Sequence, residues 1–219
     1  MASAPEASRA WLLIGHPGPW PAEAVDAGLP ARLRELVASA DELGVRVQLI
    51  RRPGRRRGLE ADASWTVFAG WTAGDEPWLR RGPAVDVDVR ALAAGDPAGF
   101  GTPVTEPLYL VCAHGRRNVC CARFGGPLAQ ALAARYPSQV WETTHVGGHR
   151  FAANLVILPH GLYYGPVDAA RAVEAIDAYA RGTIVPERYR GRAGQPREVQ
   201  EIEYARLTDA GSLLVAALT

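Results

Sequence analysis

The sequence predicts an α/β protein with two consecutive subdomains, of which the first is a weaker copy of the second. Short apolar or alternating segments indicate strands, and segments of helical period lie between them. The same order of segments recurs in outline in both halves. A chain of 219 residues can hold two small domains, at about 100–200 residues per domain. We expect subdomains at residues 1–100 and 101–192, and a helical tail at 193–219.

The first subdomain is predicted to run strand, helix, strand, strand, strand. Its helix is the clearest element, because apolar residues of the segment 29–43 recur every three or four positions and Gly44 follows as a stop. The strands are short segments that are apolar or alternate in polarity. They are 11–14, 45–50, 65–69 and 78–81. The Gly-, Pro- and Thr-rich residues 95–107 predict a linker.

The second subdomain is predicted to run strand, helix, strand, strand, strand, helix. The strands are residues 108–111, 140–144, 153–158 and 162–165, and the helices are residues 126–136 and 169–180. This order is the thioredoxin-like arrangement. The predicted fold is therefore two tandem thioredoxin-like (ferredoxin) α/β subdomains, with the N-terminal one degenerate.

Composition excludes several classes of function. A formal net charge of +1 with 21% charged residues argues against a nucleic-acid binder, which needs an excess of basic charge. No apolar run approaches the ~18 residues of a membrane span, and no secretory signal is apparent at the start. We expect a cytoplasmic protein, in which cysteines serve as ligands or free thiols and not as disulfides.

Cysteine and histidine residues form the most informative pattern. Cys112, Cys120 and Cys121 fall within ten residues, and His145 and His149 follow a later predicted strand. An all-cysteine iron–sulfur site needs four thiolates, and the chain has three cysteines. A mixed site with two cysteines and two histidines suits either a [2Fe–2S] cluster or zinc.

Two longer motifs carry a family resemblance. They are Cys-Ala-His-Gly-Arg-Arg-Asn-Val-Cys-Cys at 112–121 and His-Val-Gly-Gly-His-Arg-Phe-Ala-Ala-Asn at 145–154, together with Trp-Glu at 141–142 and His-Pro-Gly-Pro-Trp at 16–20. With these motifs the chain, from about residue 12 to 192, resembles the sucrase/ferredoxin-like family of thioredoxin-like [2Fe–2S] proteins. The resemblance implies a [2Fe–2S] cluster in the second subdomain. Its implied ligands are Cys112, Cys121, His145 and His149.

The resemblance also implies which residues surround the ligands. Its register favours Cys121 over the adjacent Cys120 as the second cysteine ligand. His114, Arg117 and Asn118 are expected near the ligands, where they can donate or accept hydrogen bonds. Asn118 departs from the family, which usually has Asp at this position.

The expected function follows from this cluster. Imidazole ligands make a [2Fe–2S] cluster easier to reduce and can lose a proton on oxidation. We expect a proton-coupled one-electron carrier, with an unidentified redox partner protein, more than an enzyme with its own substrate. The alternative is a zinc-binding structural or interaction protein with the same four ligands. The arginine-rich loop 51–57 is either solvated or a patch that attracts an anionic partner, and the sequence does not indicate an oligomeric state.

Overall fold

The computed structural model describes residues 3–16, 18–23, 28–54, 65–97 and 99–217. Within them, ten strands form a single mixed sheet, and helices pack against it. The first half supplies β1 Ala10–Gly15, α1 Ala31–Glu42, β2 Arg46–Arg51, β3 Thr66–Trp71, β4 Trp78–Pro83, α2 Val89–Ala93 and β5 Thr102–Pro103. The protein is thus α/β, as predicted.

The second half follows with the longer series of elements. They are β6 Leu108–Cys112, α3 Gly126–Arg135, β7 Val140–Thr143, β8 Leu155–Leu158, β9 Leu162–Tyr164, α4 Ala169–Ala180, β10 Thr183–Ile184, β11 Tyr189–Arg192, α5 Arg197–Ala210 and β12 Leu213–Leu214. β10 and β12 form a separate two-stranded ladder.

The order of strands in the large sheet explains how the halves meet. The order is β11-β9-β8-β6-β7-β2-β1-β3-β4-β5. In each half, the first strand lies between a parallel neighbour, which is β2 or β7, and an antiparallel one, which is β3 or β8. The halves join where β2 pairs antiparallel with β7. The prediction of two tandem thioredoxin-like subdomains is therefore not supported as stated, because hydrogen bonding continues across the junction.

Most predicted elements are confirmed within one or two residues at their ends. The helix predicted for 29–43 is α1, which buries Leu33, Val37 and Ala40, and the helix predicted for 169–180 is α4. The predicted linker contains β5, which extends the sheet beside β4. The domain boundary expected near residue 100 stays a prediction. Part of the arginine-rich loop, residues 55–57, lies outside the described residues.

Three apolar clusters make up the core. One packs α1 against the first-half strands and another packs α3 and α4 against the second-half strands. The third contains residues from both halves, including Trp11, Ile50, Leu110, Cys112 and Cys121. Neighbouring residues of a strand point to opposite faces of the sheet. The shared cluster therefore lies on the face opposite to the one that packs against α1, α3 and α4. The two cysteines thus lie where the halves share a core.

Candidate metal centre

Cys112 is the last residue of β6, a strand buried along its whole length. Its backbone N–H donates to the carbonyl of Asn154 at 3.1 Å, and the next N–H, of Ala113, donates to Thr143 at 3.1 Å. Neighbouring chains on both sides therefore hold the end of the strand. The thiol of Cys112 is buried in the shared core.

Cys121 begins a π-helical turn, Cys121–Gly125, that leads into α3. Asn118 shapes the approach, since its side-chain oxygen accepts the N–H of Cys120 and its carbonyl accepts the N–H of Cys121, both at 3.0 Å. The turn buries Cys121 and leaves Cys120 exposed.

Gly125 allows the start of α3 to lie directly against the end of β6. A Cβ atom at this position would be 1.9 Å from the carbonyl oxygen of Cys112, so no side chain fits. This close approach holds the turn of Cys121 beside Cys112.

His145 brings an imidazole to the two cysteines. It follows β7 by two residues, and its Nδ1 lies 4.0 Å from Sγ of Cys112 and 3.6 Å from Sγ of Cys121. The ligand atoms of these three residues all lie within 4.8 Å of one another. Among the described residues, this is the one such group of three or more histidine, cysteine or acidic side chains.

His149 lies beside this group and not within it. Its ring centroid is 6.3 Å from that of His145, and its side chain is exposed on the 3₁₀ turn His149–Phe151. Gly147 and Gly148 precede the turn with φ angles of +93° and +66°, which favour glycine. Asn154 anchors the loop by donating to the carbonyl of Gly148 at 3.2 Å.

The two cysteines differ in acidity. A hydrogen bond from Cys121, and others from His145 and the N–H groups of Val146 and His114, hold the pKa of Cys112 well below its usual value although burial opposes them. The pKa of Cys121 is raised, first because its thiol donates to Cys112 and then because it is buried. The hydrogen bonds around Cys112 favour its thiolate, and a soft thiolate is the form that binds metal.

His114 is buried behind His145. Its Nδ1 accepts the backbone N–H of His145 at 3.2 Å, so its Nε2–H is free to donate to the carbonyl of Pro21, 2.6 Å away. Burial lowers its pKa, and the ring meets Trp20 edge-on. His114 thus contacts a candidate ligand, whereas Arg117 lies at the surface, where it pairs with Glu23. Their expected roles near a metal group stay predictions.

Gln48 also contacts the candidate ligand His145, and the sequence does not predict this contact. This residue of β2 is buried at 4% exposure, and its Nε2 donates to the carbonyl of His145 at 3.4 Å. In the sequence it is one polar residue in an alternating segment, a pattern that normally indicates a solvent-facing position. No local signal distinguishes it from such a position.

None of the described helices is long and apolar enough to cross a membrane. No solved structure is significantly similar to the chain. Curated relatives are yeast proteins named "Altered inheritance of mitochondria protein 32". The one from Meyerozyma guilliermondii is 33% identical over 40% of this chain and 35% of its own length, and the one from Clavispora lusitaniae is 27% identical over 42% and 37%. The match therefore spans little more than a third of these relatives.

These relatives correct the functional prediction. Their name refers to the inheritance of mitochondria and not to an iron–sulfur electron carrier. The expected assignment as a proton-coupled electron carrier is therefore contradicted. The same name gives no support to the expected cytoplasmic location, which stays a prediction.

Family membership rests on a much longer match. The model of the family described as "Sucrase/ferredoxin-like" matches residues 2–191, which include both cysteine and histidine motifs. The chain belongs to the sucrase/ferredoxin-like family.

Proposed function

We propose that this chain is a metal-binding protein in which Cys112, Cys121 and His145 hold the metal group. One observation carries the proposal: two buried sulfurs and an imidazole nitrogen from three separate segments lie within 4.8 Å of one another. The cysteines form no disulfide. Thiolate and imidazole are the donors of zinc and iron–sulfur sites.

The proposed group is a [2Fe–2S] cluster, with His149 as the fourth ligand. Two observations support it. A single zinc ion needs four donors around one point, whereas His149 is not among the donors that lie within 4.8 Å of one another. A group with two metal atoms has a longer reach. The flanking glycines also give the loop of His149 room to adjust, because glycine accepts a wide range of backbone angles.

The metal group would join three segments of the chain: the end of β6, the turn before α3 and the loop after β7. Metal binding of this kind adds its free energy to that of folding, because the unfolded chain has no preformed site. Loss of the metal is thus expected to lower the stability of the second half of the sheet in particular.

We infer that each half is a thioredoxin-like unit and that the two are fused edge to edge. The repeated order β2-β1-β3-β4 and β7-β6-β8-β9, with the same parallel and antiparallel pairings, supports this inference. In this view the second unit carries the metal ligands and the first has lost them.

We also propose that a partner protein binds the surface around Cys121. Val119 and Phe124 are exposed at 74% and 46%. Arg116 and Arg123, from the same segment of the chain, are also exposed, and Arg123 lies over the ring of Phe124. No acidic residue occurs between Glu106 and Glu142. Exposed aromatic and arginine side chains are enriched at protein interfaces, and this surface suits an acidic partner.

Metal analysis of the full-length chain tests the proposed function. The protein is purified without oxygen, and iron, acid-labile sulfide and zinc are measured per chain. A cluster gives a red-brown protein with about two iron and two sulfide per chain. Stoichiometric zinc in a colourless protein would replace the cluster by a zinc ion. A chain that takes up neither, even after reconstitution, would contradict the proposal.

A further inference from the structure

We infer that Gln48, a residue of the first half, positions His145 for metal binding, so that the half without ligands completes the metal centre. This inference rests on the proposed function. It assigns a task to a residue that lies 97 positions from His145 in the chain. It also gives a physical reason for the first half to remain joined to the second.

The hydrogen bonds of Gln48 determine which way its amide points. Its Oε1 accepts from the hydroxyl of Thr143 at 3.1 Å and from that of Thr144 at 2.8 Å. A hydroxyl can donate to the amide oxygen or accept from the amide NH₂, whereas the carbonyl of His145 can only accept. The NH₂ group is therefore left facing the carbonyl of His145, to which it donates at 3.4 Å.

These contacts lie just beyond the end of the ladder between β2 and β7. β2 and β7 are paired at Ile50 with Thr143 and at Arg51 with Glu142, and β7 stops at Thr143. Beyond that point, Thr144 exchanges hydrogen bonds with the backbone of Leu49 at 3.0 and 3.1 Å. At His145, side chains of β2 and not its backbone make the hydrogen bonds.

Arg46 adds a second contact to the same carbonyl. Its Nη2 donates to the oxygen of His145 at 3.4 Å, while its Nη1 donates to Ser8 at 2.9 Å. On the opposite side, His114 accepts the N–H of His145. Both backbone groups of the histidine are thus held, and the imidazole is kept facing the two sulfurs.

A purely structural role would have a different consequence. Burying an amide costs free energy unless its hydrogen bonds are made, so replacing Gln48 changes stability in any case. A structural role lowers the stability of metal-free and metal-bound protein equally, and the affinity for metal stays the same. A positioning role lowers the affinity for metal in the variant, since the imidazole of His145 must first be brought into place.

The experiment measures Co²⁺ binding to the full-length, reduced chain, by the thiolate-to-cobalt absorption in competition with a chelator. Gln48→Met keeps the length of the side chain without its polar atoms, and Thr143→Val removes a hydroxyl that orients Gln48. The matched controls are Thr143→Ser, which keeps that hydroxyl, and Gln130→Leu on the exposed face of α3. Unfolding of each metal-free variant in urea verifies that it is folded.

We expect Gln48→Met and Thr143→Val to bind Co²⁺ about tenfold more weakly than the wild type, in the range found for residues that hold metal ligands. Thr143→Ser and Gln130→Leu should keep the wild-type affinity. Should Gln48→Met fail to fold, the pair Thr143→Val and Thr143→Ser decides, because the hydroxyl of Thr143 donates to Gln48, while that of Thr144 also accepts the N–H of Leu49. Wild-type affinity in the folded variants would overturn the role of Gln48 and leave the metal centre intact. Failure of the wild type to take up either Co²⁺ or a reconstituted cluster would overturn the centre itself, and this role with it.

Discussion

The imidazole of His114 links the backbone of His145 to the carbonyl of Pro21. It accepts the N–H of His145 on Nδ1 and lies 2.6 Å from Pro21 through Nε2. Both contacts are made only by the neutral ring with its proton on Nε2. A segment of the first half thus reaches a candidate ligand through one buried histidine.

Replacing His114 by leucine should weaken the metal centre without touching a ligand. The variant leaves the N–H of His145 without its acceptor and frees the loop that carries the imidazole. We expect an affinity for Co²⁺ about tenfold lower than that of the wild type, measured by competition with a chelator. His160→Gln alters a histidine in the turn between β8 and β9, which contacts Tyr179, and should keep the wild-type affinity. Equal affinity of His114→Leu and wild type would contradict the prediction.

The adjacent cysteines offer a matched pair. Cys121→Ser replaces a buried sulfur of the group by a harder oxygen, and we expect loss of most of the bound metal. Cys120→Ser alters an exposed side chain outside the group and should keep the full metal content. Metal content per chain, measured after identical purification, separates the two variants. The reverse result would make Cys120 the ligand.

Two successive glycines provide the same kind of comparison for the backbone. Gly125→Ala would place a Cβ atom 1.9 Å from the carbonyl oxygen of Cys112, whereas Gly126→Ala meets no atom within 4 Å. Gly125→Ala must push α3 away from β6, and we expect it to lower the free energy of unfolding by about 2 kcal/mol or more. Gly126→Ala should leave stability unchanged or raise it by up to about 1 kcal/mol. Denaturant unfolding measures both, and similar values for the two variants would contradict the close approach.

The sequence predicts the regular elements well because their signals are local. α4 repeats its apolar residues with helical period and was predicted to the residue. β11 was missed, since Tyr-Arg-Gly-Arg has the polarity of a surface loop. Its arginines are nonetheless buried, because Asn154 and Glu203 accept their hydrogen bonds. Such partners, 36 and 11 residues away, cannot be recognised from local pattern.

The same distinction applies to the candidate site. Cys112, Cys121 and His145 stand out by residue type, and their predicted places at the ends of strands and the start of a helix bring them together. Gln48 and Pro21 contribute through one amide and one carbonyl, which have no distinctive pattern. The sequence also does not predict that the two halves share one sheet. β2 and β7 pair at only two positions, and neither strand has a sequence pattern that identifies the other as its partner.

The junction between the halves contains an ion pair that should matter for stability. Nε of Arg51 lies 2.7 Å from Glu142 with both side chains about nine-tenths buried, and Arg51 also stacks on Trp20 at 3.9 Å. Glu142→Gln leaves a buried guanidinium uncompensated, and we expect a loss of about 3 kcal/mol in the free energy of unfolding. Glu174→Gln breaks the exposed pair with Arg171 and should produce no measurable loss. If the two variants unfold alike, the junction does not depend on this pair.

His160 should make stability depend on pH. Burial, with Arg192 adding to it, lowers the pKa of His160 to about 4, and Nδ1 is hydrogen-bonded to the hydroxyl of Tyr179 at 2.7 Å. The unfolded chain takes up this proton below its ordinary pKa of about 6.5, whereas the folded chain resists it down to about 4. Stability is therefore complete above pH 6.5 and falls as the pH decreases from 6.5 towards 4.

His160→Gln removes this proton from the balance. Between pH 7.5 and 5.5, the wild type should lose about 1.3 kcal/mol more of its free energy of unfolding than the variant does, a difference that follows from the two pKa values. Urea unfolding of both proteins in the same metal state at the two pH values measures it. Other groups that titrate in this range affect both proteins and cancel in the comparison. Parallel losses in the two proteins would show that His160 is protonated as readily in the folded chain as in the unfolded one, and that the contact with Tyr179 does not hold the ring neutral.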